Sequence, residues 1–394
     1  MDDAVVVTGF GMVSSLGSDV TQILARMDAG EYACETREVR GREVPAAMVR
    51  EFEATDYIAE KKVRRMDNVN CYAIAAATRA LDDAGIVEAD KPGCGVIVGT
   101  GFAGFASVVE HQGAYLRDGM RMLTPFHFPN TVFNATAGMV AIELGLNGPN
   151  STVVGYDVSG EYALTYAWML LRQGMAERIV VIGADDLCPA LLEGLHDLGV
   201  PRRSEAAGTA PFSRRAEGLM PSEGSGALVL ERAESAARRG ARVLGRVDSI
   251  GMWSSADSLF GYGSAQKAIA ASSKQALVRA SVGMDAVSWV SSSANGQREL
   301  DAAEAQAWSQ SLAGSQRVVS FKRFLGDYAS SGVSRIGLAL HCATRGKVPG
   351  FAVEDALPEI ASWLPGAAES LVGNRVLHQG VGIGGSAVSV VLSV

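Results

Sequence analysis

Short apolar runs alternate with longer helical segments along almost the whole chain. The apolar runs are rich in valine and isoleucine and lack polar alternation, a pattern typical of strands in a sheet that is covered on both faces. We therefore predict an α/β protein with helices on both sides of its sheets. Strands are predicted at residues 5–13, 94–101 and 178–184, and helices at about residues 18–29 (with Ser18 as N-cap), 68–84, 132–144 and 233–239.

A second series of strands and helices starts at Val243. No flexible linker and no change of composition precedes it. We therefore predict two similar halves, residues 1–240 and 241–394, that form one rigid unit.

The sharpest predicted junction between a strand and a helix lies at residues 148–160. A β-branched run is followed by Gly155 and then by a long apolar helix that extends to about Gln173. Such a nucleophile elbow projects one side chain beside the helix N-terminus, where unpaired backbone N–H groups favour an anion. Here that side chain is Asp157. Aspartate is also a preferred helix N-cap, so a purely capping role is an equal alternative.

The composition argues against nucleic acid and membrane as main partners. The chain has 394 residues, of which 48% are hydrophobic and 20% charged, and its net charge is −8 without a basic block. A surface of this kind does not favour polyanions. No apolar run approaches the ~20 residues that span a bilayer, and the start of the chain lacks the pattern of a signal peptide. We predict a cytoplasmic protein.

No cofactor or metal site is predicted. Gly9 and Gly11 follow the first strand, but the third glycine and the later acidic residue of a dinucleotide fingerprint are absent. The five cysteines lack close pairs and C-x-x-C spacing, which favours reduced thiols. Cys71 and Cys342 fall in predicted helices and are expected in the core. The histidines are interpreted as structural or exposed; they are His111, His127, His196, His341 and His378.

Five segments, in order, resemble the β-ketoacyl synthase family. They are the Val-Thr-Gly-x-Gly strand at 7–11, the elbow with its preceding Gly-Pro at 148–160, the Pro-Phe and glycine-rich segments within 210–231, the Lys-x-x-x-Gly segment at 322–326, and the glycine-rich loop at 380–387. The last departs from the family, because Val381 and Ile383 replace aromatic residues and Ala387 replaces asparagine. This resemblance covers essentially the whole chain. It implies a thiolase fold, with five alternating layers of helix and sheet.

The resemblance also implies that all three catalytic positions have changed. The family uses a cysteine thiolate in the elbow and two downstream histidines, and this chain has Asp157, Asn295 and Asp327 at those positions, with the family's Lys322 retained. A carboxylate is a weak nucleophile and forms an unstable anhydride. Two carboxylates in one cleft would also repel an enolate. We therefore predict no catalytic residue for decarboxylative condensation.

The segment Glu299-Leu300-Asp301-Ala302-Ala303-Glu304-Ala305 resembles chain length factors, which are ketosynthase-like subunits of type II polyketide systems that lack the cysteine. The same acidic residues could equally form the first turn of a helix. In chain length factors, a helix at the dimer interface lines the acyl tunnel. The matching positions here are Phe105, Val108 and Gln112, which share one helical face; such a stripe is more often ordinary core.

The leading interpretation is a non-catalytic chain length factor. It would form a heterodimer with an active ketosynthase and shape the tunnel for a chain carried by acyl carrier protein. The alternative is an enzyme of the same fold with changed chemistry, such as cyclisation, aldol condensation or hydrolysis, that uses Asp157 or Asp327 as a base. A scaffold homodimer without a tunnel is the third hypothesis.

Overall fold

The computed structural model describes residues 4–123, 125, 128–202, 210–259 and 261–394. The strands are β1 (Val5–Val13), β2 (Glu35–Val39), β3 (Arg42–Ala46), β4 (Cys94–Gly99), β5 (Asn150–Val153), β6 (Arg178–Asp185), β7 (Gly224–Arg232), β8 (Gly245–Ser254), β9 (Trp289–Ser291), β10 (Arg317–Val319), β11 (Lys347–Val348), β12 (Glu369–Ser370), β13 (Arg375–Gly382) and β14 (Ser386–Ser393). The helices are α1 (Val20–Asp28), α2 (Glu60–Val63), α3 (Asn68–Asp83), α4 (Phe105–Asp118), α5 (Ala135–Leu144), α6 (Ser159–Arg172), α7 (Pro189–Asp197), α8 (Ala233–Arg238), α9 (Ala265–Ala280), α10 (Arg298–Ser311), α11 (Lys322–Leu325) and α12 (Gly332–Thr344).

Ten of these strands form one mixed sheet in the order β10-β9-β13-β14-β8-β1-β7-β6-β4-β5. On one side of the sheet, β1 pairs antiparallel with β7, and β7 pairs antiparallel with β6. Strand β6 then pairs parallel with β4, and β4 pairs parallel with β5. Outward from β8, the same sequence of pairings repeats through β14, β13, β9 and β10. The halves meet where Val5, Val6 and Val7 pair with residues 245–247. The two halves therefore share one topology.

Helices cover both sides of each half. Helices α6 and α12 contact each other, and α12 contacts strands of both halves, so this pair forms the middle layer. Helices α3 and α5 cover the outer side of the first half, and α9, with α10 beside it, covers the outer side of the second. The result is the predicted order of five layers, helix, sheet, helix, sheet, helix. The predicted division at residues 240 and 241 falls between α8 and β8 and stays a prediction.

Gly9 and Gly11 allow α3 to pack closely on β1. A Cβ atom at Gly9 would lie 2.2 Å from the Ala80 carbonyl oxygen, and one at Gly11 would lie 2.3 Å from the Ala76 carbonyl oxygen. Any larger residue would push the helix away from the strand. These glycines therefore serve packing.

Several predicted boundaries need correction. Asp19, and not Ser18, is the N-cap of α1, because its carboxylate accepts a hydrogen bond from Gln22 N. Helix α5 begins at Ala135, three residues after the predicted start. The predicted loop at 380–387 is mostly strand, since β13 extends to Gly382 and β14 resumes at Ser386. Apolar residues alternate with glycine in this segment, a pattern that is compatible with a β-hairpin, and β13 and β14 pair there in antiparallel fashion.

The two cysteines predicted in the core are confirmed there. Cys71 in α3 and Cys342 in α12 are buried. Burial raises the pKa of Cys71 to about 11 and that of Cys342 to about 12, so both thiols stay protonated at neutral pH. None of the helices in the described part of the chain is both long and apolar enough to cross a membrane.

Candidate functional site

The elbow is held in shape by its own backbone and by Ser159. Strand β5 ends at Val153, a 3-10 turn spans Tyr156–Val158, and α6 begins at Ser159. Tyr156 has a φ of +49°, a left-handed conformation that is costly for a residue with a side chain. The Ser159 hydroxyl accepts a hydrogen bond from Gly155 N at 2.9 Å and lies 2.7 Å from the Tyr156 carbonyl oxygen. The strained turn presents the next residue, Asp157, to the cleft.

Asp157 does not cap the helix, so the capping alternative is wrong. Residue Val158 occupies the N-cap position of α6, and no side chain caps that end. The Asp157 Oδ2 atom instead accepts hydrogen bonds from Tyr262 Oη and from Ile383 N, both at 3.3 Å. The carboxylate therefore turns away from its own helix and towards the second half of the molecule.

Lys322 and Asp327 form a buried ion pair at the other end of the cleft. The Lys322 Nζ atom lies 2.9 Å from Asp327 Oδ1 and donates to Oδ2 at 3.0 Å. Asn295 Nδ2 also donates to Asp327 Oδ2, at 2.8 Å. Lys322 therefore neutralises the Asp327 carboxylate.

Tyr262 and Gln297 connect these two ends. Gln297 Oε1 accepts from Asn295 Nδ2 at 3.2 Å and from Tyr262 Oη at 3.1 Å. The single hydroxyl proton of Tyr262 lies between Asp157 and Gln297, and Asn295 donates to both Gln297 and Asp327, so one polar cluster extends from Asp157 to Asp327. The structure brings together Asp157, Asn295, Asp327 and Lys322, as the motif order implies. It also adds Tyr262, which the sequence reasoning missed; the glycines on both sides of it are the local signal of a special backbone.

The environment of Asp157 disfavours its charge. Part of the side chain faces the cleft, but protein atoms surround it closely. Burial, together with the negative charge of Asp327, raises the pKa of Asp157 to about 6, although Lys322 opposes the shift. Burial and the Asp157 charge also hold the pKa of Tyr262 well above its usual range, so the phenol stays protonated and can donate.

The acidic residues of α10 hold the loop that carries Asn295. Glu299 and Asp301 do lie in the first turn of the helix. Asp301 accepts hydrogen bonds from the backbone N–H groups of Phe212, Asn295 and Gly296 at 2.8–3.2 Å. Glu304 accepts from Ser292, Ser293 N and Trp308 at 2.6–3.0 Å. These buried carboxylates have a positioning role.

The network forms the polar end of a cavity of about 280 Å³. Asp157, Tyr262, Gln297 and Asp327 lie at that end. The walls are largely apolar. The apolar lining includes Phe102, Phe105, Leu191, Leu195, Leu198 and Ile383.

The three predicted tunnel residues do not share one environment. Phe105, at the start of α4, is half-buried, lines this chain's own cavity and packs beside Leu187 and Leu191. Val108 is 41% exposed and Gln112 is exposed. The stripe therefore runs from the cavity to the protein surface.

No thiolate or imidazole of the described residues enters the cavity. Cys188 lines a neighbouring cavity. His378 is fully buried between Ser291 and Glu161, and burial lowers its pKa to about 4; His127 lies outside the described residues. No group of three or more histidine, cysteine or acidic side chains in the described ranges is arranged to hold a metal. The cleft offers mainly carboxylates, a phenol and amides.

The model of the N-terminal domain of β-ketoacyl synthases matches residues 2–236 of this chain. The chain belongs to the β-ketoacyl synthase family. The thiolase fold implied by the sequence motifs is confirmed, since ketosynthase structures superpose over nearly the whole chain.

Several relatives of this ketosynthase-family chain carry names that describe synthase activity or assembly. It is 27% identical to 3-oxoacyl-[acyl-carrier-protein] synthase 2 of Synechocystis sp., over 97% of this chain and 95% of that protein. It is 31% identical to the Vibrio harveyi protein of the same name, over 63% and 62% of the two chains. Among solved structures, the ishigamide ketosynthase/chain length factor has a TM-score of 0.90 at 25% identity and covers 99% of this chain and 98% of its own.

Proposed function

We propose that this chain is a non-catalytic chain length factor, which pairs with an active ketosynthase and shapes the tunnel for an acyl chain carried by acyl carrier protein. The observation that carries the proposal is the replacement of the nucleophile by Asp157. A carboxylate has no thiol, so it cannot hold an acyl group as a thioester. The two carboxylates, Asp157 and Asp327, also repel the enolate that condensation requires.

An apolar face next to the elbow supports a protein partner. It is formed by α4, the 3-10 turn Phe128–Thr131, α5, β5 and α6, which contact one another in that order. Strand β5 is the last strand of the sheet, and an open edge invites pairing with another chain. Leu116 in α4 is 73% exposed and Ile142 in α5 is 81% exposed. Apolar exposure on this scale is typical of an interface.

The choice of a ketosynthase as partner rests on the similarity to the ishigamide ketosynthase/chain length factor. Co-expression with a cysteine-bearing ketosynthase of the same family, followed by size-exclusion chromatography, tests the pairing. We expect a 1:1 complex. A stable homodimer that ignores the ketosynthase would favour the scaffold hypothesis.

Intact-protein mass spectrometry tests the absence of catalysis. We expect that malonyl- and acyl-carrier-protein leave no acyl adduct on this chain, while the cysteine-bearing partner in the same mixture becomes acylated. An adduct that maps to the elbow would overturn the proposal.

Product length tests the tunnel role of α4. Val108 is exposed on the apolar face, so Val108→Trp should fill space at the partner's tunnel and shorten the product, with turnover largely retained. Phe105→Ala should lengthen it, if the space left by the ring joins the tunnel. Val109→Trp is the matched control, because successive helix positions point ~100° apart. Unchanged lengths in intact complexes would mean that length control lies elsewhere.

A specific observation also supports the enzymatic alternative. The pKa of Asp157 is raised to about 6, which is closer to the range of a general base than an ordinary aspartate is. Loss of turnover by ~10²–10⁴-fold in an intact Asp157→Asn complex would favour this alternative.

A further inference from the structure

The polar end of the cavity holds most of its donors in internal hydrogen bonds. Lys322 is used by Asp327, the Asn295 amide by Asp327 and Gln297, and Ile383 N by Asp157. The Tyr262 hydroxyl is shared between Asp157 and Gln297. Asp157 Oδ1, in contrast, accepts no hydrogen bond from any residue that the structure describes. Gln297 Nε2 is a further donor, but a neutral one. The site therefore favours a ligand that donates.

The charged residues around the cavity also favour a ligand that donates hydrogen bonds and carries a positive charge. Asp157, Asp186 and Asp327 line it, and Lys322 is the cation bound to Asp327. Asp185 also lines it, but hydrogen bonds from Thr100, Gly101, Phe102 and Ser330 occupy its carboxylate. Among the residues that the structure describes, Asp157 thus lacks a cation of its own. A cation bound beside Asp157 would offset the free-energy cost of holding its negative charge away from water.

Size and wall chemistry define the rest of the ligand. Apart from its polar end, the cavity is lined by leucine, phenylalanine and isoleucine side chains. Its volume of about 280 Å³ corresponds to roughly nine groups of the size of water, at ~30 Å³ each. A primary amine with a straight chain of about eight carbons has this size.

We propose that this cleft is a non-covalent binding site for small amphiphilic amines, with the ammonium group on Asp157 and the alkyl tail between Phe105, Leu195 and Leu198. An ammonium group supplies donors and a positive charge where the site has a free acceptor and a negative charge. A fatty acid or thioester would place further acceptors against Asp157. The site lies in this chain's own cavity, so the proposal does not depend on pairing with a ketosynthase, and either can fail alone.

Calorimetric titration of the purified full chain at pH 7.5 tests the class of ligand. The probes are n-octylamine, n-octanol and octanoate, which share a tail and differ in the head group. We expect octylamine to bind at least ~10-fold more tightly than octanol, the range of a hydrogen bond to a charged group, and octanoate to bind most weakly. Equal or tighter binding of octanol or octanoate would overturn the proposal.

Three variants assign the head group. Asp157→Asn should bring the affinity for octylamine within about 2-fold of that for octanol, and the exposed Asp82→Asn is the matched control that should change nothing. Asp186→Asn should leave most of the preference for the amine. Loss of the preference in Asp186→Asn but not in Asp157→Asn would show that the assignment to Asp157 is wrong.

The pH dependence gives a second readout that does not need a variant. Groups facing Asp157 are Asp327, Lys322 and Tyr262, and Asp186 lies in the same cavity with a pKa raised to about 7 by burial and by Asp67. At pH 5 both Asp157 and Asp186 are largely protonated. Octylamine affinity should therefore fall ~10-fold between pH 7.5 and pH 5, while octanol affinity stays constant. An unchanged amine affinity would contradict the proposal.

Discussion

Two carboxylates lie four residues apart at the start of α6, and their surroundings affect them in opposite ways. Glu161 is fully buried between Arg335, at 2.6 Å, and His378, at 3.1 Å. Burial alone would raise its pKa, but Arg335 and His378 outweigh burial and the pKa is lowered. Asp157 forms no ion pair with any described residue, and burial with the charge of Asp327 raises its pKa. A buried charge that has a cation beside it is part of the architecture, whereas one without a cation in a cavity is available to a ligand.

The largest effect expected from this comparison is the loss of Arg335. Arg335→Met leaves the buried Glu161 carboxylate without its arginine, and removing one partner of a buried ion pair typically costs ~3–5 kcal/mol. We expect a fall of this size in the free energy of unfolding, measured by urea denaturation.

Arg64→Met is the control, because Arg64 forms an exposed pair with Glu60 and should cost below ~0.5 kcal/mol. The double variant with Glu161→Gln should recover part of the loss. A cost under about 1 kcal/mol for Arg335→Met would contradict the structural role of the pair.

Removing the charge of Asp157 should have the opposite effect and increase the free energy of unfolding. An unfolded aspartate ionises near pH 3.9, but folded Asp157 holds its proton to about pH 6. Stability therefore falls as pH rises from about 4 to 6, and the full cost is present above 6. Asp157→Asn removes this cost and should stabilise the protein by ~1–3 kcal/mol at pH 8, about 1 kcal/mol more than at pH 5. Urea unfolding at both pH values measures it; destabilisation at pH 8 would show that the charge is compensated.

The smallest expected effect is on turnover. In a complex with an active ketosynthase, Asp157→Asn should keep the condensation rate within a few-fold of wild type, because in the proposed heterodimer the partner performs the chemistry. The rate per intact complex, measured after size exclusion, is the relevant quantity. A large drop in this rate would indicate that Asp157 takes part in catalysis and is not only a ligand-binding residue.

The motif order predicted which side chains meet, but not how they meet. Asp157, Asn295 and Asp327 converge because the family motifs mark the ends of strands that share one cleft. Tyr262 could not be placed, because its loop reaches the elbow only through the packing of the two halves. The stripe of Phe105, Val108 and Gln112 has helical spacing, yet α7 covers only the start of α4, so its members divide between cavity and surface. Periodicity predicts a shared face and not what covers that face.

The pairing of β1 has a consequence for synthesis on the ribosome. Its partners are Ser225–Arg232 on one side and residues 245–247 on the other, so β1 is synthesised long before either of its neighbours. At ~5–20 residues per second, the stretch from Val13 to Arg232 takes roughly 11–44 s to synthesise. Until then both edges of this apolar strand are open. Nascent chains should therefore bind holding chaperones through their N-terminal region, and chains truncated before β7 should aggregate rather than fold.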